Sequence, residues 1–86
     1  MNSLKNKNII VTGASGGIGN SIVEKLYENG ANVLATGTKV EKLEELKKRF
    51  KNIKILPFDI SQHHAIEEFI NKATEELGGH LDSIVN

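Results

Sequence analysis

Apolar and polar positions along the 86 residues follow two alternating rhythms. Short apolar runs, Ile9-Ile10-Val11, Val33-Leu34-Ala35 and Ile84-Val85, and the mostly apolar Ile53-Lys54-Ile55-Leu56, have the length of buried strands. Between them apolar residues recur every three or four positions, as on the inner face of a helix: Ile18, Ile22, Val23 and Leu26, then Val40, Leu43, Leu46 and Phe50, then Ile66, Phe69, Ile70, Ala73 and Leu77. The pattern predicts strands over 8–12, 33–35, 53–57 and 81–86, and helices over about 17–29, 40–50 and 62–77. Asn20, Glu24, Lys25 and Glu28 are expected to face water on the first helix. Gly30 stands where a helix ends in the left-handed conformation, Gly78-Gly79 repeats the signal after the third helix, and Pro57 closes the third strand. Strand and helix in strict alternation with short connections imply parallel βαβ units. Right-handed crossovers then give an α/β fold of three layers, α/β/α, with a parallel sheet in the order 3-2-1-4. The first two helices fall on one face and the third on the other.

The first strand runs directly into Thr12-Gly13-Ala14-Ser15-Gly16-Gly17-Ile18-Gly19 and then into the first helix. The first turn of a helix carries unpaired N–H groups and a partial positive charge, so a turn without side-chain bulk admits an anion such as a phosphate. Glycines also serve tight turns and close helix-strand packing, the structural alternative at this position. The glycines fall at 13, 17 and 19, and no Gly-Lys-Ser/Thr follows, which disfavours a mononucleotide P-loop. The absence of acids from Val11 to Gly19 argues against a receiver-like signalling domain.

Composition narrows the class further. Eleven basic and eleven acidic residues cancel, so nothing advertises nucleic acid or an acidic membrane. Cysteine is absent and the first residues, MNSLKNKN, are polar, which leads us to expect a soluble cytoplasmic protein with no membrane partner. His63 and His64 are adjacent and cannot share a helical face as ligands, so no metal site is expected. The basic run Lys47-Lys48-Arg49 reads as a solvated helix face with bases late, as the helix dipole favours.

The glycine turn resembles the cofactor turn of the short-chain dehydrogenase/reductase family, and 32–39, 56–61 (LPFDIS) and 81–86 (LDSIVN) resemble the same family at matching distances. The resemblance covers essentially the whole chain and implies a Rossmann-type dinucleotide-binding unit. Within the family the sequence is most similar to bacterial 3-oxoacyl-acyl-carrier-protein reductases. By that resemblance Gly13, Ser15, Gly16, Gly17, Ile18 and Gly19 bind the dinucleotide. Gly37 falls where NAD-selective members carry a carboxylate, and Thr38 and Lys39 can donate to the extra phosphate of NADP(H), which is the expected cofactor. Two features bear on that expectation. Thr38 and Glu41 also fit a capping box for the second helix. Gly16 stands where many NADPH-using members have a base. Asp59 and Ile60 match an acid and an apolar residue that hold the adenine, although Asp59 or Ser61 is equally placed to cap the third helix.

Asn86 matches the first residue of the family's Asn-Asn-Ala-Gly motif, and the catalytic serine, tyrosine and lysine have no counterpart here. Tyr27, the one tyrosine, lies in the first helix. The chain is thus expected to be the cofactor-binding half of a reductase, without catalytic residues of its own. The full enzyme would pass a hydride from NADPH to a carbonyl, with acyl carrier protein as the implied partner. Under-covered surfaces lead us to expect self-association. Two alternatives remain: a non-catalytic nucleotide-binding module, and a short-chain dehydrogenase acting on another alcohol or ketone.

Overall fold

A computed structural model describes residues 3–59 and 61–85. The elements run β1 (Asn8–Val11), α1 (Gly17–Glu28), β2 (Asn32–Ala35), α2 (Val40–Arg49), β3 (Lys54–Ile55), a 3₁₀ turn (His63–Ala65), α3 (Ile66–Glu76) and β4 (Ser83–Val85). The four strands form one parallel sheet in the order β3-β2-β1-β4, with Ile10 of β1 opposite Leu34 on one side and Ile84 on the other. This is the expected topology.

The period of two along each strand sorts the core into two layers. Ile9, Val11, Val33 and Ala35 face Val23 of α1, Leu43 and Leu46 of α2, and Ile53. Ile10 and Leu34 point the other way, onto Phe69 and Ala73 of α3. Leu43 and Leu46 are fully enclosed, and burying each contributes on the order of 1.5–3 kcal/mol. Helices α1 and α2 thus share one face and α3 covers the other, because consecutive right-handed crossovers change face where the chain passes from the β2-β3 side of β1 to β4.

Two helices end in the same way. Gly30 has φ 89°, and after α1 the N–H of Ala31 reaches Leu26 O at 3.1 Å while that of Gly30 reaches Tyr27 O at 3.0 Å. After α3, Gly79 bonds Thr74 O at 2.9 Å and Gly78 bonds Glu75 O at 3.0 Å, with φ 105° and 103°. Both are Schellman motifs, which need a residue free to adopt positive φ.

Several expected boundaries move. The third strand shortens from 53–57 to Lys54–Ile55, because the Ile53 N–H turns back to Phe50 O at 3.1 Å and Pro57 has no donor. Pairing nonetheless continues irregularly, from Leu56 N–H to Ala35 O and Phe58 N–H to Gly37 O. The third helix starts at Ile66 rather than 62, the preceding residues being taken up by turns from Gln62 N–H to Asp59 O and from Ala65 N–H to Gln62 O. Ile18 is 82% exposed and not part of the buried face of α1, since it occupies the first turn, beyond the C-terminal end of the strands. Val40 is also largely exposed.

The N-terminal end of the sheet is closed by Asn8, a polar residue at the head of an apolar strand. It is 1% exposed. Its backbone N–H donates to Asp82 Oδ2 at 2.7 Å, its Nδ2 donates to Leu77 O and His80 O at 2.9 and 2.8 Å, and its Oδ1 accepts from Asn32 Nδ2 at 2.9 Å. One amide side chain therefore ties β1, β2 and the α3-β4 loop together. No helix among the described residues is long and apolar enough to cross a membrane.

Candidate functional site

At the C-terminal end of the sheet β1 leaves Val11 and turns through Gly13, whose φ of 62° is the left-handed conformation. The turn is anchored to both neighbouring strands: Thr12 N–H donates to Val85 O beyond β1 on one side, and Ala14 N–H donates to Thr36 O on the other, each at 2.9 Å. It then opens α1 at Gly16, the N-cap, whose φ and ψ of −94° and 170° are extended. Among the described residues no side chain caps this helix, and no acid lies in its first turn. The first-turn N–H groups have no intrahelical partner by geometry, so they present an uncompensated positive end.

Three glycines do different work here. At Gly19 a Cβ would land on the Gly13 carbonyl oxygen and come within 2.7 Å of Ala14 Cα, so this glycine lets α1 cross the turn closely. At Gly17 a Cβ would meet nothing within 4 Å, so the fold leaves open space in front of it. At Gly37 a Cβ would meet Ser15 Oγ at 2.6 Å and Ser15 Cβ at 3.1 Å.

A crevice of about 110 Å³ opens between the turn and the ends of β2 and β3, lined by Thr12, Gly13, Ser15, Thr36, Gly37, Thr38, Phe58 and Asp59. Of the residues expected at a cofactor site, it brings Gly13, Ser15, Thr38 and Asp59 together. Gly16, Gly17, Ile18 and Gly19 follow on the adjoining first turn of α1, with Ile18 held out into solvent. Lys39 is exposed beside Thr38 and is the N-cap of α2. Ile60 and Asn86, expected in the same site, lie outside the described residues.

The capping alternatives resolve in two ways. Helix α2 is capped at Lys39 without a side-chain bond, so the Thr38-Glu41 box is not formed and Thr38 lies one residue before the cap. Asp59 does not cap α3 either. Its Oδ1 accepts from Ser61 N–H at 2.9 Å and Ser61 Oγ at 2.7 Å, a local turn that precedes the helix. These two bonds from Ser61 hold the Asp59 carboxyl below its ordinary pKa.

Two site residues escape the sequence pattern. Asn20, expected to face water, is half-buried and donates from Nδ2 to Ala14 O at 3.1 Å and Gly16 O at 3.3 Å, bracing the turn from the helix side. Its Oδ1 accepts from Arg49 Nη1 at 3.1 Å, and Arg49 also pairs with Glu24 at 3.0 Å, so α2 steadies the brace. The other is Thr36, 2% exposed, whose Oγ1 has no hydrogen-bond partner among the described residues. Its signal in the sequence was only a polar residue closing an apolar strand.

The profile of the short chain dehydrogenase family matches residues 7–86. The chain belongs to that family, whose members are oxidoreductases that bind a nicotinamide dinucleotide. It is 35% identical over its whole length to an uncharacterized oxidoreductase of Staphylococcus aureus (strain USA300), and 39% identical to nodulation protein G of Rhizobium sp. (strain N33). It spans 38% and 35% of those two proteins' lengths. Among solved structures it superposes on a short chain dehydrogenase from Mycobacterium smegmatis with a TM-score of 0.90 and 26% identity, covering all of this chain and 38% of that one. A short-chain dehydrogenase/reductase from Brucella melitensis gives 0.83 and 28%, covering 94% and 35% of the respective chains. A dinucleotide fits the residues present: a helix N-terminus without a side-chain cap or acid among the described residues, and a Cβ-free approach at Gly17.

Proposed function

We propose that residues 1–86 form a single dinucleotide-binding unit, the NADP(H)-binding portion of a short-chain reductase. Gly13, Ser15, Gly16, Gly17, Ile18 and Gly19 receive the pyrophosphate and its flanking riboses, Thr38 and Lys39 the additional phosphate, Asp59 and Ile60 the adenine, and Asn86 the continuation of the cofactor groove. When bound, the nicotinamide supplies a hydride. The chain's own part is to bind, orient and select the dinucleotide. The observation that carries this reading is the pairing of the bare α1 N-terminus with a crevice lined by Thr38, with no carboxylate at Gly37 and with Lys39 exposed next in sequence.

In the whole protein the hydride would go to a carbonyl, and the sequence likeness favours a 3-oxoacyl thioester presented by acyl carrier protein in the cytoplasm. The 86-residue chain itself self-associates in this reading, because β4 pairs on one side only and leaves Ile84 40% exposed. Calorimetric titration with NADPH and NADH tests the cofactor assignment: tighter binding of NADPH is expected, and equal affinity removes the role of Thr38 and Lys39. Sedimentation tests the self-association, which a monodisperse monomer contradicts.

A further inference from the structure

Asn20 grips two carbonyls of the glycine turn. Its Nδ2 donates to Ala14 O at 3.1 Å and Gly16 O at 3.3 Å, and its backbone N–H reaches Gly16 O at 2.9 Å. Each carbonyl belongs to a planar trans peptide unit whose N–H points the opposite way. Holding Ala14 O and Gly16 O toward Asn20 therefore turns the N–H groups of Ser15 and Gly17 away from it. Neither N–H makes a hydrogen bond among the described residues. Ser15 lines the crevice, and Gly17 is exposed, with nothing within 4 Å of where a Cβ would stand.

The Asn20 amide fits in one orientation. Two carbonyl oxygens face its Nδ2, and the Arg49 guanidinium, a donor only, faces its Oδ1 with Nη1 at 3.1 Å. Arg49 is itself held by Glu24 Oε1 at 3.0 Å and by the Phe50 ring, whose centroid lies 4.8 Å from the guanidinium carbon. That ring packs in turn on Tyr27 of α1. Unfastened, a turn with glycine at 16 and 17 samples many backbone conformations, and a ligand that needs both N–H groups must select one of them. Binding is tighter when that ordering is done beforehand. Resting on the dinucleotide assignment above, we propose that Asn20 and Arg49 are positioning residues for the dinucleotide. Asn20 presents the Ser15 and Gly17 N–H groups, and Arg49, which does not line the crevice, acts through Asn20 by fixing its amide. The affinity of the site then depends on the last turn of α2, at the opposite end of that helix from Lys39.

The test measures NADPH affinity by calorimetry for the 86-residue chain, Asn20→Ala, Arg49→Met and the double variant, each below its ligand-free melting midpoint. Arg49→Met keeps an apolar stem against Phe50 and removes the donors. Asn20→Ala should weaken NADPH about five- to thirty-fold, and Arg49→Met about two- to fivefold, as suits a half-exposed group. The double variant should bind no worse than Asn20→Ala, because Arg49 acts through Asn20 alone. The ligand-free amide resonances of Ser15 and Gly17 should move in both single variants, which a role confined to global stability would not produce. Wild-type affinity in either folded single variant overturns the inference and leaves the cofactor assignment intact. A loss in Arg49→Met that adds in full to that of Asn20→Ala overturns it too. Should Asn20→Ala not fold, Arg49→Met decides: weaker binding with moved Ser15 and Gly17 resonances sustains the inference, and wild-type affinity overturns it. If the folded wild type does not bind NADPH, the cofactor assignment fails and the inference falls with it.

Discussion

A Cβ built on Gly37 would stand 2.6 Å from Ser15 Oγ and 3.2 Å from the Ser15 backbone nitrogen. The end of β2 and the glycine turn are therefore in close contact at Gly37, the position where the proposed reading sets the choice of NADPH over NADH. Gly37→Asp must displace the Ser15 side chain before its charge can act. We expect the single change to lose stability by about 1–3 kcal/mol, as overpacking does, and to abolish stabilisation by NADPH through charge repulsion. Adding Ser15→Gly should recover part of the lost stability and allow an NADH response. Thermal melts of the two variants with each cofactor check this.

Gly19 and Gly17 separate packing from ligand approach. Gly19→Ala drives a Cβ into the backbone of Gly13 and Ala14, and rigid backbone cannot yield as a side-chain tip can. A loss of about 3 kcal/mol or non-folding is expected. Gly17→Ala enters open space in a helical first turn, so denaturant unfolding should show stability unchanged or up by about 0.5–1 kcal/mol. Its dinucleotide affinity should nonetheless fall, because the methyl stands before the unpaired N–H groups.

At the opposite end of the sheet, Asn8→Ala leaves Leu77 O, His80 O and Asn32 without their partner. The expected cost is about 2–3 kcal/mol in urea unfolding. Cofactor affinity, measured under native conditions, should not change, since Asn8 lies at the far end of β1 from the turn.

The strand order and the placing of α1 and α2 on one face with α3 on the other were legible because strands and helices alternate through short connections, which right-handed crossovers resolve in one way. Helix ends at Gly30 and Gly78 were legible for an equally local reason, the need for positive φ. Where pairing or solvent decides, the pattern failed. Ile18 fits the apolar spacing of α1, but it lies beyond the sheet with nothing to cover it. Thr38-x-x-Glu41 fits a capping box, but Lys39 takes the cap position. The glycine turn was legible as the link between a strand and a helix. Its bracing by Asn20 and Arg49 was not, because a contact between residues 29 apart in sequence leaves no local trace, and neither does the missing partner of Thr36.

Acid sensitivity should trace to Asp82. The Asn8 N–H bonded to its carboxylate is the main cause of its lowered pKa, opposed by desolvation and aided by His80 and Lys7. A carboxyl depressed in the folded state adds stability above its unfolded value, near 3.8, and that stability is lost as pH falls below it toward the folded value. Asp82→Asn should therefore lower the midpoint at neutral pH and flatten the decline on the acid side. Melts across pH 2–7 (roughly the carboxylate range and above) check this, and a parallel decline in both proteins would contradict it.

The central claim is that the bare N-terminus of α1 together with Thr38 and the neighbouring Lys39 makes an NADPH site. Its most direct measurement is the thermal midpoint of the chain against rising NADPH, with NADH in parallel. A ligand at about 100 times its dissociation constant adds about 2.7 kcal/mol to the folded state, so a clear upward shift with NADPH and a smaller one with NADH at equal concentration is predicted. A cooperatively melting chain whose midpoint moves with neither cofactor, or more with NADH, would contradict the account.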